Sequence, residues 1–142
     1  MKCTTLFHVL FATALSVMLI CSACAHQGTK MDPNAKTITI EGAVRDLACP
    51  VQNPAGTASN FDLKCTLDCV KHGSPIIILT KDGLLYFPIS EDMPDSDQRE
   101  KMMPYVGKYV QATGAVFERN GTRAIAITQI KELKSVPATT PG

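Results

Sequence analysis

The chain has 142 residues, with 14 Lys+Arg against 13 Asp+Glu, 45% hydrophobic residues, six cysteines and no tryptophan. So even a balance of charge excludes the basic field that nucleic-acid binding needs, and the length holds one domain with a single modest core. No Ser-His-Asp set, paired-carboxylate site or phosphate loop is visible, so the chain reads as a binding protein and not an enzyme.

The N-terminus carries one charge at Lys2, an apolar run from Leu6 to Ile20, and the small-residue stretch CSACA. This pattern predicts an export signal over residues 1–25, since the run is too short for a spanning helix and no stop-transfer pattern follows. A second processing site competes with the first. Ser22-Ala23-Cys24 resembles a bacterial lipobox, which would end the signal at residue 23 and leave a lipid anchor on Cys24, although Cys21 stands where leucine is usual. The polar residues 26–35 would then serve as a tether, and the protein is expected to be periplasmic or membrane-anchored. Removing the signal takes away Lys2, which balances the charges, and leaves Cys49, Cys65 and Cys69 in the domain. Three cysteines cannot all pair within one chain.

The domain is expected over residues 36–133. KTITIEGAVRD, residues 36–46, alternates through Ile38, Ile40 and Val44 and predicts a half-buried strand with a kink or bulge at Gly42. Cys49-Pro50 opens a stretch rich in turn formers, which predicts a surface loop as far as Asn60. NFDLKCTLDCVKHG, residues 60–73, follows as a helix. Ser59 or Asn60 is its expected N-cap, Asp62 lies in the first turn, Lys71 and His72 lie in the last, and Gly73 with Pro75 ends it. At about 100° per residue, Phe61, Cys65, Cys69 and His72 share one stripe, and Leu63, Leu67 and Val70 lie nearly opposite. The aliphatic stripe is expected to pack on a scaffold and aim the sulfur and imidazole groups at the segment carrying Cys49.

Ile76 to Leu79, the turn Lys81-Asp82-Gly83 and Leu84 to Ile89 read as a hairpin of central strands. The acidic segment around Pro94 then leads into two turns of helix capped by Asp95 and ended by Pro104. Lys108 to Arg119, the turn Asn120-Gly121 and Thr122 to Leu133 form a second hairpin, and the Pro- and Thr-rich residues 134–142 are expected to fray. The predicted fold is mainly β: a five-stranded antiparallel OB-fold-like barrel, with a Cys-bearing helical insert between strands 1 and 2 and a short helix between strands 3 and 4.

Three stretches, GAVRDLAC, CTLDCVKHGSPIIILTKDG and YVGKYVQATGAVFERNGTRAIAI, resemble a group of small exported bacterial OB-fold proteins, mostly without an assigned function. The resemblance runs from Lys36 to Leu133. It implies a fold and an exported location and not a reaction.

Cys65 and Cys69 are neighbours across one helical turn, with His72 further along the same stripe. Together with Cys49 they form a donor set suited to zinc in a closed tetrahedral site, or to copper as Cu(I), which is content with two or three sulfurs. The Cys-x-x-x-Cys spacing with a later histidine is locally similar to the copper-binding segments of Sco-type chaperones and of the binuclear copper site of cytochrome oxidase, both of which use other folds. The alternative is a disulfide from Cys49 to Cys65 or Cys69, stapling the insert to a barrel that binds a protein or envelope partner and leaving one thiol over. Thiol-disulfide exchange ranks last, without a Cys-x-x-Cys motif. Met93, Met102 and Met103 read as core filler, and Asp92, Asp95 and Asp97 as a solvated loop.

Overall fold

The computed structural model describes residue 32 and residues 35–134, so the predicted signal, the Cys24 anchor and the C-terminal tail lie outside the described residues, as does nearly all of the tether. Within them the chain runs β1 (Lys36–Asp46), α1 (Ala48–Gln52), α2 (Leu63–Lys71), β2 (Ile76–Thr80), β3 (Leu85–Ile89), α3 (Arg99–Met102), a 3₁₀ turn (Met103–Tyr105), β4 (Tyr109–Arg119) and β5 (Thr122–Glu132). The strands close into a barrel in the order β1-β2-β3-β5-β4, which is the OB-like arrangement. None of the described helices is long and apolar enough to cross a membrane.

One strand pair departs from the all-antiparallel expectation, for β3 and β5 run parallel through Phe87↔Ala124, Pro88↔Ile125 and Ile89↔Ala126. The reason is topological. Neighbours around a closed ring can alternate in direction throughout only if the strand number is even, and five is odd. The segment holding α3 supplies the crossover, returning the chain to the far side of β1, where β4 pairs from Lys36↔Val116 to Ala43↔Tyr109.

Strand β1 is the shared member. Its first eight residues, Lys36 to Ala43, pair with β4 and its last five, Gly42 to Asp46, pair with β2, so Gly42 and Ala43 are paired on both sides. The predicted bulge is not at Gly42, which is paired regularly. Glycine is needed there for closeness: a Cβ would stand 2.6 Å from the carbonyl oxygen of Leu79. The irregularity falls instead between Thr113 and Gly114 of β4, where the register against β5 jumps from Gln129 to Ile127. A Cβ on Gly114 would lie 2.0 Å from the Ala126 oxygen, so only glycine lets the two backbones approach at the bulge.

Alternation along the strands divides the core in two. Ile40, Val44, Ile76, Ile78, Val110, Ala112, Ile125 and Ile127 form one cluster, joined by Val70 of α2 and Met102 of α3. The opposite faces of β1 and β2 send Ala43, Ile77 and Leu79 into a second cluster with Tyr109 and with Ala58 of the insert, flanked by Leu47 and Phe61. This explains the four apolar residues in a row at Ile76 to Leu79, because β2 is covered on both faces. It also corrects the half-buried reading of β1, whose residues Ala43 to Asp46 are all buried. Ile38, at the unsheathed beginning of the strand, remains exposed.

The segment between β3 and β4 is shorter in helix than its sequence suggests. Asp95 does not cap it but accepts from the backbone N–H and hydroxyl of Ser90, so the helix begins only at Arg99. Of the three methionines read as core filler, Met102 is fully buried, whereas Met93 and Met103 are exposed. Arg99 reaches across to donate to the carbonyls of Val70 and Ser74 at the end of α2, satisfying groups that a helix C-terminus otherwise leaves open. Replacing Gly114 by Ala forces the β4–β5 bulge apart, and urea unfolding is expected to show a loss of about 2–3 kcal/mol.

Candidate metal centre

Two short stretches build the centre in the same way. Asp46-Leu47-Ala48-Cys49 and Asp62-Leu63-Lys64-Cys65 share an Asp-Leu-x-Cys pattern, and in each the carboxylate accepts a hydrogen bond from the backbone N–H of its own cysteine, at 2.8 Å for Cys49 and 2.9 Å for Cys65. This is the geometry of a helix N-cap, an acceptor meeting an N–H three residues on. It fixes two cysteines in the first turns of two helices. The pattern was present in the sequence as a repeated Asp three residues ahead of Cys, and it is the signal that points to Asp46 as a residue of the site.

It also corrects two expectations. Cys49 lies not in a loop but in α1, where Pro50 is tolerated because the first turn needs no donor from it. Helix α2 is capped by Asp62 and not by Ser59 or Asn60. Those residues are held in a turn of their own, with the Thr57 hydroxyl accepting from the N–H groups of Ser59 and Asn60 and the Asn60 amide donating to Ala55. Local side-chain bonds of this kind compete with helix. Phe61 therefore leaves the cysteine stripe and packs inward, its ring 4.4 Å beneath the guanidinium of Arg45.

The remaining stripes hold with one narrowing. Thr66 and Val70 are buried and Leu67 packs on the core, while Leu63, expected with them, is half exposed above Gly107. On the other side the helix presents Cys65 and Cys69 to α1, and the three sulfurs converge. Cys49 Sγ lies 3.3 Å from Cys65 Sγ and 3.7 Å from Cys69 Sγ, and all three lie within 4.8 Å of one another. The alternative disulfide is absent, for all three are free thiols. Cys65 is exposed and the other two partly covered.

His72 is not a member of this three-sulfur set. It caps the C-terminus of α2, where its N–H donates to Asp68, and it lines an open groove of about 550 Å³ together with Asp62, Lys64, Cys65, Asp68, Cys69 and Ser74. On the inner side of Cys49 and Cys65, a smaller hollow of about 190 Å³ is lined by Arg45, Asn53, Phe61 and their neighbours. The cluster thus stands between a groove open to solvent and a pocket containing a buried cation.

Electrostatics favour the protonated thiols of Cys49 and Cys69. Burial pushes the Cys49 thiol well above its ordinary range, and its contacts with Cys65, Asp46 and Cys69 push the same way. For Cys69 the contact with Cys49 favours the thiolate, but desolvation, the Asp46 charge and Cys65 outweigh it and the value is raised. Burial draws the Arg45 guanidinium below its usual value, against the opposing pull of Asp46, Cys49 and Cys65. A thiol cluster of this kind could hold an ion that displaces the protons.

No protein family, no curated protein and no solved structure matches this chain, so its chemistry is read from its own geometry.

Two outcomes follow for the metal-free protein. Replacing Asp62 by Ala removes the cap of α2 and is expected to cost about 1 kcal/mol in urea unfolding. Because folding raises the Cys49 and Cys69 values, their contribution to stability is full below the unfolded thiol range and is lost as pH rises through and above it. The melting temperature of the reduced protein should fall above about pH 8.5, the ordinary thiol value, and a triple Cys→Ser variant should lack that part of the decline.

Proposed function

We propose that this protein is an exported cell-envelope binding module that holds one soft transition-metal ion, copper(I) or zinc, through Cys49, Cys65 and Cys69. The observation that carries the reading is the convergence of three free sulfurs from two separate helices within 4.8 Å. Two half-buried thiols and one exposed thiol match the donor preference of thiophilic ions. Copper(I) is satisfied by such a trigonal set. Zinc draws a fourth donor, and His72 lines the groove shared with Cys65 and Cys69.

The exposure of Cys65 and the open groove beside it support binding and exchange over a sealed structural role, because a ligand arriving from solvent can reach the ion through that face. The export pattern of the first 25 residues and the resemblance to small exported OB-fold proteins support the envelope location. The asymmetric burial of the thiols suits a protein that keeps a preformed site and takes its ion from a dilute supply.

The test is metal content and thiol count on protein purified without oxygen and without its signal. A single equivalent of copper(I) or zinc should bind, mask the thiols from a thiol reagent, and be released with full thiol recovery by a chelator. Cys49→Ser and Cys65→Ser should each weaken binding by on the order of a hundredfold. Thiols that titrate freely with both ions supplied, and no metal above background, would overturn the reading.

A further inference from the structure

Arg45 is 2% exposed, yet no carboxylate among the described residues lies within ion-pair distance of it. Its guanidinium donates to the Thr57 carbonyl at 2.6 Å and stacks on Phe61, while its Nε has no partner. A buried cation so sparsely compensated is costly, and proteins normally bury one only beside a negative charge. Asp46 offsets it in part without forming an ion pair, and further negative charge appears when the neighbouring cluster is loaded. Arg45, Cys49 and Cys65 line one hollow, and an ion that displaces three thiol protons leaves a complex of net charge −2 if it is Cu(I) and −1 if it is Zn(II).

Resting on the metal-binding reading above, we propose that Arg45 is the built-in counter-charge of the three-thiolate centre and biases it toward a singly charged over a doubly charged ion. The bias follows from Coulomb's law. One fixed positive charge attracts the −2 complex twice as strongly as the −1 complex, or, equivalently, repels the divalent ion twice as strongly as the monovalent one. Arg45 would therefore act on selectivity without touching the metal.

Asp46, the next residue, acts in the opposite sense. It is fully buried, its Oδ2 is engaged by the Cys49 N–H, and its Oδ1 has no partner. A carboxylate there disfavours the more negative complex. The two adjacent side chains thus set the charge of the centre between them, and removing either should tip the balance in its own direction.

The experiment measures Cu(I) and Zn(II) affinities of the full domain by chelator competition, without oxygen, in wild type, Arg45→Met, Arg45→Gln, Arg45→Lys and Asp46→Asn. The ratio of Cu(I) to Zn(II) affinity should fall about tenfold in Arg45→Met and Arg45→Gln, stay near wild type in Arg45→Lys, and rise in Asp46→Asn, where the amide oxygen still caps Cys49. A purely structural role would lower both affinities together and leave the ratio unchanged, which overturns the proposal. Arg45→Gln makes the same comparison if the Met variant does not fold. Should wild type bind neither ion, the metal reading itself fails and this inference with it; should it bind both while the ratio ignores Arg45, only the inference fails.

Discussion

The end of β1 is sheathed on every side, and the rest of the molecule depends on that. Gly42 and Ala43 are paired with β2 and β4 at once, and from Ala43 to Asp46 both faces of the strand are covered. One face looks into the barrel. The other, which carries Ala43 and Arg45, is closed by the insert through Ala58 and Phe61, so Arg45 is buried although it is charged, and Asp46 is buried on the face it shares with Val44. Neither can move without opening the barrel or the insert. Asp46 then holds α1 by the Cys49 N–H, and Arg45 holds the long loop by the Thr57 carbonyl, so a strand of the scaffold dictates where a cysteine of the centre stands.

This arrangement separates what is rigid from what is reachable. Cys49 is tied to the sheet, Cys69 sits deeper in the middle of a helix, and Cys65 faces outward at the start of that helix beside an open groove. The scaffold holds two thiols in fixed positions and a third at the surface. Position is set by ordinary local devices, two aspartate caps and one apolar stripe, so no strained backbone is required. The surface ion pair of Lys64 with Asp68 adds little by comparison, being exposed on both sides.

Much of this was legible in the residues. The two hairpins followed from Lys81-Asp82-Gly83 and Asn120-Gly121, whose Gly83, Asn120 and Gly121 have positive φ as such turns demand. Convergence of Cys65 and Cys69 followed from helical spacing, and that of Cys49 from elimination. What was not legible depended on long-range facts. Alternation cannot reveal that the outer face of β1 will be covered, so the strand read as half-buried. Phe61 sat on the cysteine stripe only while the helix was assumed to begin two residues early, and the turn around Thr57 decided otherwise. The parallel seam between β3 and β5 is a property of the closed ring, to which no single segment testifies.

The pairing of Lys36 with Val116 has a consequence for how the protein comes into being. Contacts that far apart in sequence form late and slowly, whereas Cys65 and Cys69 stand four residues apart and meet as soon as one coil winds. The third sulfur joins them from α1, only 16 to 20 residues away in sequence, so the cluster is assembled within the insert and hung on the barrel through Asp46.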